Sequence, residues 1–176
     1  MTLTIDIVGV PAPQGSHRGF VVNGRAVITQ DNKKTKPWRQ DVRAAALNKI
    51  AEHPDGYPLT GPVHIEITFH MPRPGYHYRT GRHAGQLKPT APRHVDKKPD
   101  TDKLLRSTFD ALGEAGVWRD DAQVASVTAT KEYADGNAGA HIVVRQLDPQ
   151  SAVPAACASP VAAAGTAQPE EVLFDA

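Results

Sequence analysis

From Met71 to Pro99 the chain carries five prolines and three glycines, and no part of that stretch keeps a strand or helix period. Proline lacks the amide that a ladder or helix interior needs, and glycine gives up the most backbone entropy when ordered. The segment therefore reads as a long irregular arm, and an arm of this length inside a compact domain is usually functional or disordered. Its flanks do have periods. Val63, Ile65, Ile67 and Phe69 alternate with polar residues, as in a strand with one buried face. Beyond the arm, Leu104, Leu105, Thr108, Phe109 and Leu112 share a face of a predicted helix over 101–114 that Gly116 ends.

The remaining punctuation completes an order of elements. Residues 2–10 read as a strand stopped by Pro11 and Pro13, followed by a polar loop from Gln14 to Arg18. The run from Phe20 to Ile28 folds about Asn23-Gly24, the pair suited to the positive φ angles of a type I′ turn. A helix over 37–52 has Pro37 in its first turn and a stripe of Trp38, Val42, Ala45, Leu47 and Ile50. Strands over 123–131 and 140–147 flank the turn Asp135-Gly136-Asn137. The expectation is an α+β domain over 1–147, a mixed sheet packed with two main helices. Residues 148–176, rich in Ala and Pro, cannot bury a core and read as a disordered tail.

Composition removes several classes. The single cysteine, Cys157, lies in the tail, so neither a disulfide framework nor a cysteine zinc site is available. Eight histidines form no H-x-x-x-H or H-E-x-x-H pair. The N-terminus alternates through Leu3, Ile5 and Ile7 without a basic segment and a long apolar run, so neither a signal peptide nor a membrane span is expected, and the location expected is cytoplasmic. The net charge of +1 conceals an asymmetry: Arg73, Arg79, Arg82, Lys88, Arg93, Lys97 and Lys98 stand against Asp96 alone in the arm. Such a basic segment suits a polyanion.

Next to that segment lie paired acids. Pro99 restrains Lys98 to an extended conformation, and Asp100 or Thr101 is placed to cap the helix, with Asp102 in its first turn. Asp120-Asp121 opens the next strand. These acids can be read as helix caps and a solvated turn. They can also be read as a cluster of up to four carboxylates, which would repel unless they hold a cation, a divalent metal with hard oxygen ligands above all. Tyr76 and Tyr78 are suited either to stacking on exposed bases or to packing the arm on its own domain. His70, His77, His83 and His94, and Gln14, Ser16 and Arg18, are further candidate contacts to phosphate or base. Trp38 and Trp118 read as core or interface aromatics, and Asp110 as structural.

The sequence Pro99-Asp100-Thr101-Asp102-Lys103-Leu104-Leu105-Arg106, then Asp110-Ala111-Leu112, then Asp120-Asp121-Ala122-Gln123-Val124, resembles the RusA family of Holliday junction resolvases. That family's pattern reads P-D-x-D-N-x-x-K, D-A-L and D-D-x-Q-V. By this resemblance the metal-binding acids are Asp100, Asp102 and Asp121, while Asp120 supports the site or faces solvent. Two positions depart from the pattern. Lys103 stands where the family has Asn, and Arg106 where it has a catalytic Lys. Residue 106 lies one helical turn above 102, so a cation still faces the acids. Arginine, however, stays protonated and grips phosphate bidentately, whereas lysine can lose its proton.

The resemblance implies a magnesium- or manganese-dependent endonuclease that resolves four-way DNA junctions by paired nicks, with Arg106 and Lys103 balancing transition-state charge. Paired nicks imply a C2 homodimer. Two rivals differ in class: a junction-binding protein with weak catalysis or none, and a D-x-D nucleotidyl or glycosyl transferase, for which the chain shows no Gly-rich phosphate loop. In the tail, Glu170-Glu171-Val172-Leu173-Phe174 resembles a short sliding-clamp-binding peptide, with Glu170 where such peptides lead with Gln.

Overall fold

The computed structural model describes residues 1–15, 17–22, 24–30 and 32–148. From residue 149 on, the tail expected to be disordered, with its clamp-like peptide, lies outside the described residues, as do Asn23 of the expected turn and Ser16 of the polar loop.

A four-stranded mixed sheet runs in the order β1 (Thr2–Val8), β6 (Gly139–Gln146), β4 (Val63–Met71), β5 (Val124–Tyr133). Strands β1 and β4 each pair antiparallel with β6, and β5 pairs parallel with β4. Parallel neighbours cannot be joined by a tight turn, so the chain must cross over between them. The arm and the second helix make that crossover, which explains why so long an irregular segment sits in mid-domain. A separate hairpin pairs β2 (His17–Val22) with β3 (Arg25–Gln30), and Gly24 at its turn has φ +75°.

Alternation buries one face of the sheet: Leu3, Ile5 and Ile7, then Ile65, Ile67 and Phe69, then Ala140, Ile142 and Val144. The other face is polar, with His141 Nδ1 2.6 Å from Asp6 and His64 Nδ1 3.0 Å from the Ser126 hydroxyl. At Gly139 the strand β6 passes so close to β1 that a Cβ would run into the Ile7 carbonyl oxygen.

Helix α1 (Thr35–Glu52) buries Trp38, Val42 and Ala46, with Ala45 and Ile50 at the margin. Leu47, expected in the stripe, is exposed. Nine residues past Trp38, it points to the opposite side of a 3.6-residue helix. Helix α2 (Thr101–Glu114) buries Leu104, Ser107, Thr108, Ala111 and Leu112, whereas Leu105 and Phe109 lie half-buried at the edge. The helices are tied together by Trp38 Nε1, which donates to the Thr108 hydroxyl at 3.2 Å, and this in turn donates to the Leu104 carbonyl at 2.9 Å. At the end of α2, Gly116 has φ +81°, and Val117 N–H bonds the Leu112 carbonyl while Gly116 N–H bonds that of Gly113. This Schellman arrangement satisfies two orphan carbonyls and turns the chain sharply towards Trp118.

Candidate active site

The N-terminus of α2 presents Asp100, Asp102, Lys103 and Arg106 to solvent on successive turns. Asp100 is the N-cap by backbone conformation (φ −68°, ψ 138°), yet its carboxylate does not cap. It accepts a hydrogen bond from Lys103 Nζ at 2.9 Å instead. That bond and the Lys103 charge, helped by Lys98 and Lys131, hold the Asp100 carboxyl below the usual range, and the same contact pushes the Lys103 ammonium up. Both groups are thus kept charged. Asp102 and Arg106 are exposed and make no hydrogen bond or ion pair among the described residues.

The entry to the helix is braced from two sides. Lys131 Nζ, from β5, donates to the carbonyls of Lys97 at 2.7 Å and Pro99 at 2.8 Å. Gln14 N–H bonds the Lys103 carbonyl at 2.9 Å and so docks the loop after β1. Lys131 and Gln14 position the acids without touching them, and no local sequence signal marks Lys131 for that task.

Asp120 and Asp121 do not open the strand directly. They form a 3₁₀ turn, Asp121–Gln123, ahead of β5. Asp120 caps that turn by accepting from Ala122 N–H at 2.8 Å, and the Gln123 side chain accepts in return from Asp120 N–H at 3.2 Å. The Gln123 amide also donates to the carbonyls of Leu59 and Gly61, both at 3.0 Å. The D-D-x-Q run is therefore a reciprocal capping box bolted to the chain before β4. Asp121 Oδ1 accepts from Trp118 Nε1 at 2.8 Å and lies 3.6 Å from where a Cβ on Gly113 would stand.

Gly113 is in the last turn of α2 and Asp102 in the first, so Asp121 and Asp102 are separated by about 16 Å of helix axis at 1.5 Å per residue. Two carboxylates on one magnesium ion, each about 2 Å from it, cannot be that far apart. Within one chain, then, the three acids expected to share a metal are split, Asp100 with Asp102 at one end of α2 and Asp121 at the other. Among the described residues no group of three or more His, Cys, Asp or Glu is placed to hold a metal ion. Around Asp121 lie Asp110 and Glu114, which both pair with Arg39, the former at 3.2 Å. Asp110 is thereby structural, as expected.

The seven basic residues of the arm divide into two groups. The Arg73 side chain is 6% exposed; its guanidinium donates to the carbonyls of Pro92, Tyr133 and Ala134, meets Asp135 at 3.2 Å and lies over the Tyr133 ring. It staples the arm to the end of β5. Arg93 pairs with Glu132 at 3.1 Å, and Lys97 reaches the Tyr76 hydroxyl at 3.4 Å, though both remain exposed. Arg79, Arg82, Lys88 and Lys98 are exposed, with Arg82 only 3.1 Å from its neighbour His83. His77 is buried edge-on between Tyr76 and Tyr133 and is no surface contact for phosphate; His83 and His94 are exposed.

None of the curated proteins matches the chain. A model of the family described as Endodeoxyribonuclease RusA matches residues 10–145. The match takes in the loop that docks on α2, the whole arm, the acid-bearing helix start and the Asp120-Asp121 turn, which together form one continuous architecture around the crossover. By that match the chain belongs to the RusA endodeoxyribonuclease family, Holliday junction resolvases.

Proposed function

We propose that this chain, an endonuclease acting on Holliday junctions by family, cuts them in paired symmetric nicks that depend on magnesium or manganese, as a C2 homodimer whose two metal sites each draw on both copies. The observation that carries this reading is the split of the acids along α2. Asp100 and Asp102 are exposed hard-oxygen donors that fit part of a magnesium shell, an ion that keeps several waters and takes one or two carboxylates. Asp121 of the same chain is too far to join them, so only a second copy, packed with its α2 running the other way, supplies a third acid. A two-fold axis makes such an exchange reciprocal.

Asp100 and Asp102, with Asp121 of the partner subunit, would hold that cation, which would supply polarisation of the scissile phosphate and a lowered pKa for the attacking water. The chain's own cations do the rest. Arg106, with no partner among the described residues, offers a planar guanidinium to the phosphate oxygens on which charge develops. Lys103 holds Asp100 charged and adds a second positive group on the same face. Arg79, Arg82, Lys88 and Lys98 contribute sequence-independent attraction to the arms of the junction. Recombination, repair or phage DNA processing in the cytoplasm is the setting that such a substrate implies; no described helix is long and apolar enough to cross a membrane. A tail anchor on the sliding clamp is an addition to this reading, tested by whether Phe174→Ala abolishes clamp binding.

The deciding experiment is the nicking of a synthetic four-way junction with and without magnesium, on the wild type and Asp102→Asn. Symmetric nicks that require the metal, and are lost in the variant while junction binding persists, are expected. Tight binding without nicks in magnesium, or in manganese put in its place, would favour the non-catalytic junction binder.

A further inference from the structure

A cleft of about 580 Å³ opens beside the N-terminus of α2, between the segment Val10–Pro13 and the arm. Asp100 and Lys103 form part of its wall. We infer that this cleft is a nucleobase pocket: it takes one base, unstacked from the junction next to the phosphate that is cut. The inference rests on the endonuclease reading and adds to it the part of the substrate that the active site reads.

Three features of the cleft converge on this occupant. Its floor is apolar and fixed, because Ala12, Met71, Val95 and Tyr133 are core residues no more than 9% exposed. The cavity is thus preformed, and its volume falls in the range of small-molecule sites. One wall carries Tyr76, a residue 58% exposed, with Lys97 Nζ 5.7 Å from the centroid of its ring. An exposed aromatic ring beside a cation is a stacking platform for a base. The rim carries Lys34, Lys97, Lys98 and Lys103 against Asp100 alone. A free inorganic anion would have no use for the apolar floor, and an apolar peptide would have no use for four ammonium groups. A nucleotide within a chain needs both, the floor for its base and the rim for the phosphates on either side. The wall shared with Asp100 puts that base within a nucleotide or so of any phosphate engaged at the start of α2.

The test is a cycle between Tyr76 and the base. The full chain and its Tyr76→Ala and Tyr76→Phe variants are compared on a four-way junction and on the same junction made abasic at the nucleotide adjoining the mapped nick. Nicking in magnesium and the Kd without metal are both measured. Tyr76→Ala should lower kcat/KM on the intact junction about tenfold, within the range for stacking one base on an aromatic ring. It should cost nothing further on the abasic junction, and Tyr76→Phe should behave as wild type. Equal losses on both junctions, or none on either, would overturn the pocket while leaving the endonuclease reading intact. A wild type that binds but does not nick would overturn the catalytic reading instead, and the same cycle would then be read in Kd.

Discussion

If each metal site takes Asp102 from one copy and Asp121 from the other, two inactive variants should rescue each other. Asp102→Asn alone spoils both sites of its homodimer, and so does Asp121→Asn. In a mixed dimer the two defects fall together in one site, and the other site keeps native Asp102 from one chain and native Asp121 from its partner. Random exchange of equal amounts makes about half of the dimers mixed, each with one working site of two, so the mixture should regain about a quarter of the wild-type nicking. The products also differ. A mixed dimer cuts one strand, so a cruciform plasmid should be nicked and not linearised. The assay is to unfold and refold the variants together, then follow supercoiled, nicked and linear plasmid in magnesium. A site confined to one chain could not be rescued in this way, because every chain of the mixture carries one of the two substitutions. A mixture as inactive as its parents, after subunit exchange is verified, would refute the shared site.

Other consequences can be measured singly. Arg106→Lys should retain activity, whereas Arg106→Ala should lose about 2 to 4 kcal/mol of transition-state stabilisation in kcat/KM, the scale of one preorganised donor. Arg79→Ala, Arg82→Ala, Lys88→Ala and Lys98→Ala should each lower the salt slope of junction binding by about 0.9 for every phosphate that the native side chain neutralises. Arg73→Ala should instead cost about 2 kcal/mol of stability in urea unfolding, because several carbonyls and Asp135 lose a charged donor. His77 is held below its ordinary value of 6.5 by burial and then by Arg73, Lys97 and Lys88. The unfolded chain therefore binds the proton more readily, so the contribution of His77 to stability is present above pH 6.5 and lost as the pH falls through the folded value. Thermal unfolding of His77→Phe from about pH 7.5 down to about pH 5 should show a shallower decline than the wild type.

Much of the architecture could be read locally. Alternation at Val63–Phe69 and the period of Leu104, Thr108 and Leu112 marked β4 and α2, because one-sided burial imposes its period on the residues themselves. Gly116 and Gly24 marked a helix end and a hairpin, since few other residues tolerate a positive φ. Leu47 misled because apolar residues at similar spacing do not all share a face. Asp120-Asp121 misled because a capping box and a strand start look alike until the partners of Gln123, Leu59 and Gly61, are known.

The amino-acid sequence by itself determined the elements, the irregular arm and, through the spacing of Asp100, Asp102, Asp110, Asp120 and Asp121, the family. All of these depend on residues near one another in the chain. Tertiary structure alone decided the parallel pairing of β4 with β5, the burial of Arg73 and His77 within a segment that looks uniformly exposed, and the placing of Asp121 beside Gly113. Those depend on which distant segments meet. A pattern of residue types can announce that three acids belong to one chemistry, but the length of a helix between them decides whether one chain can bring them together.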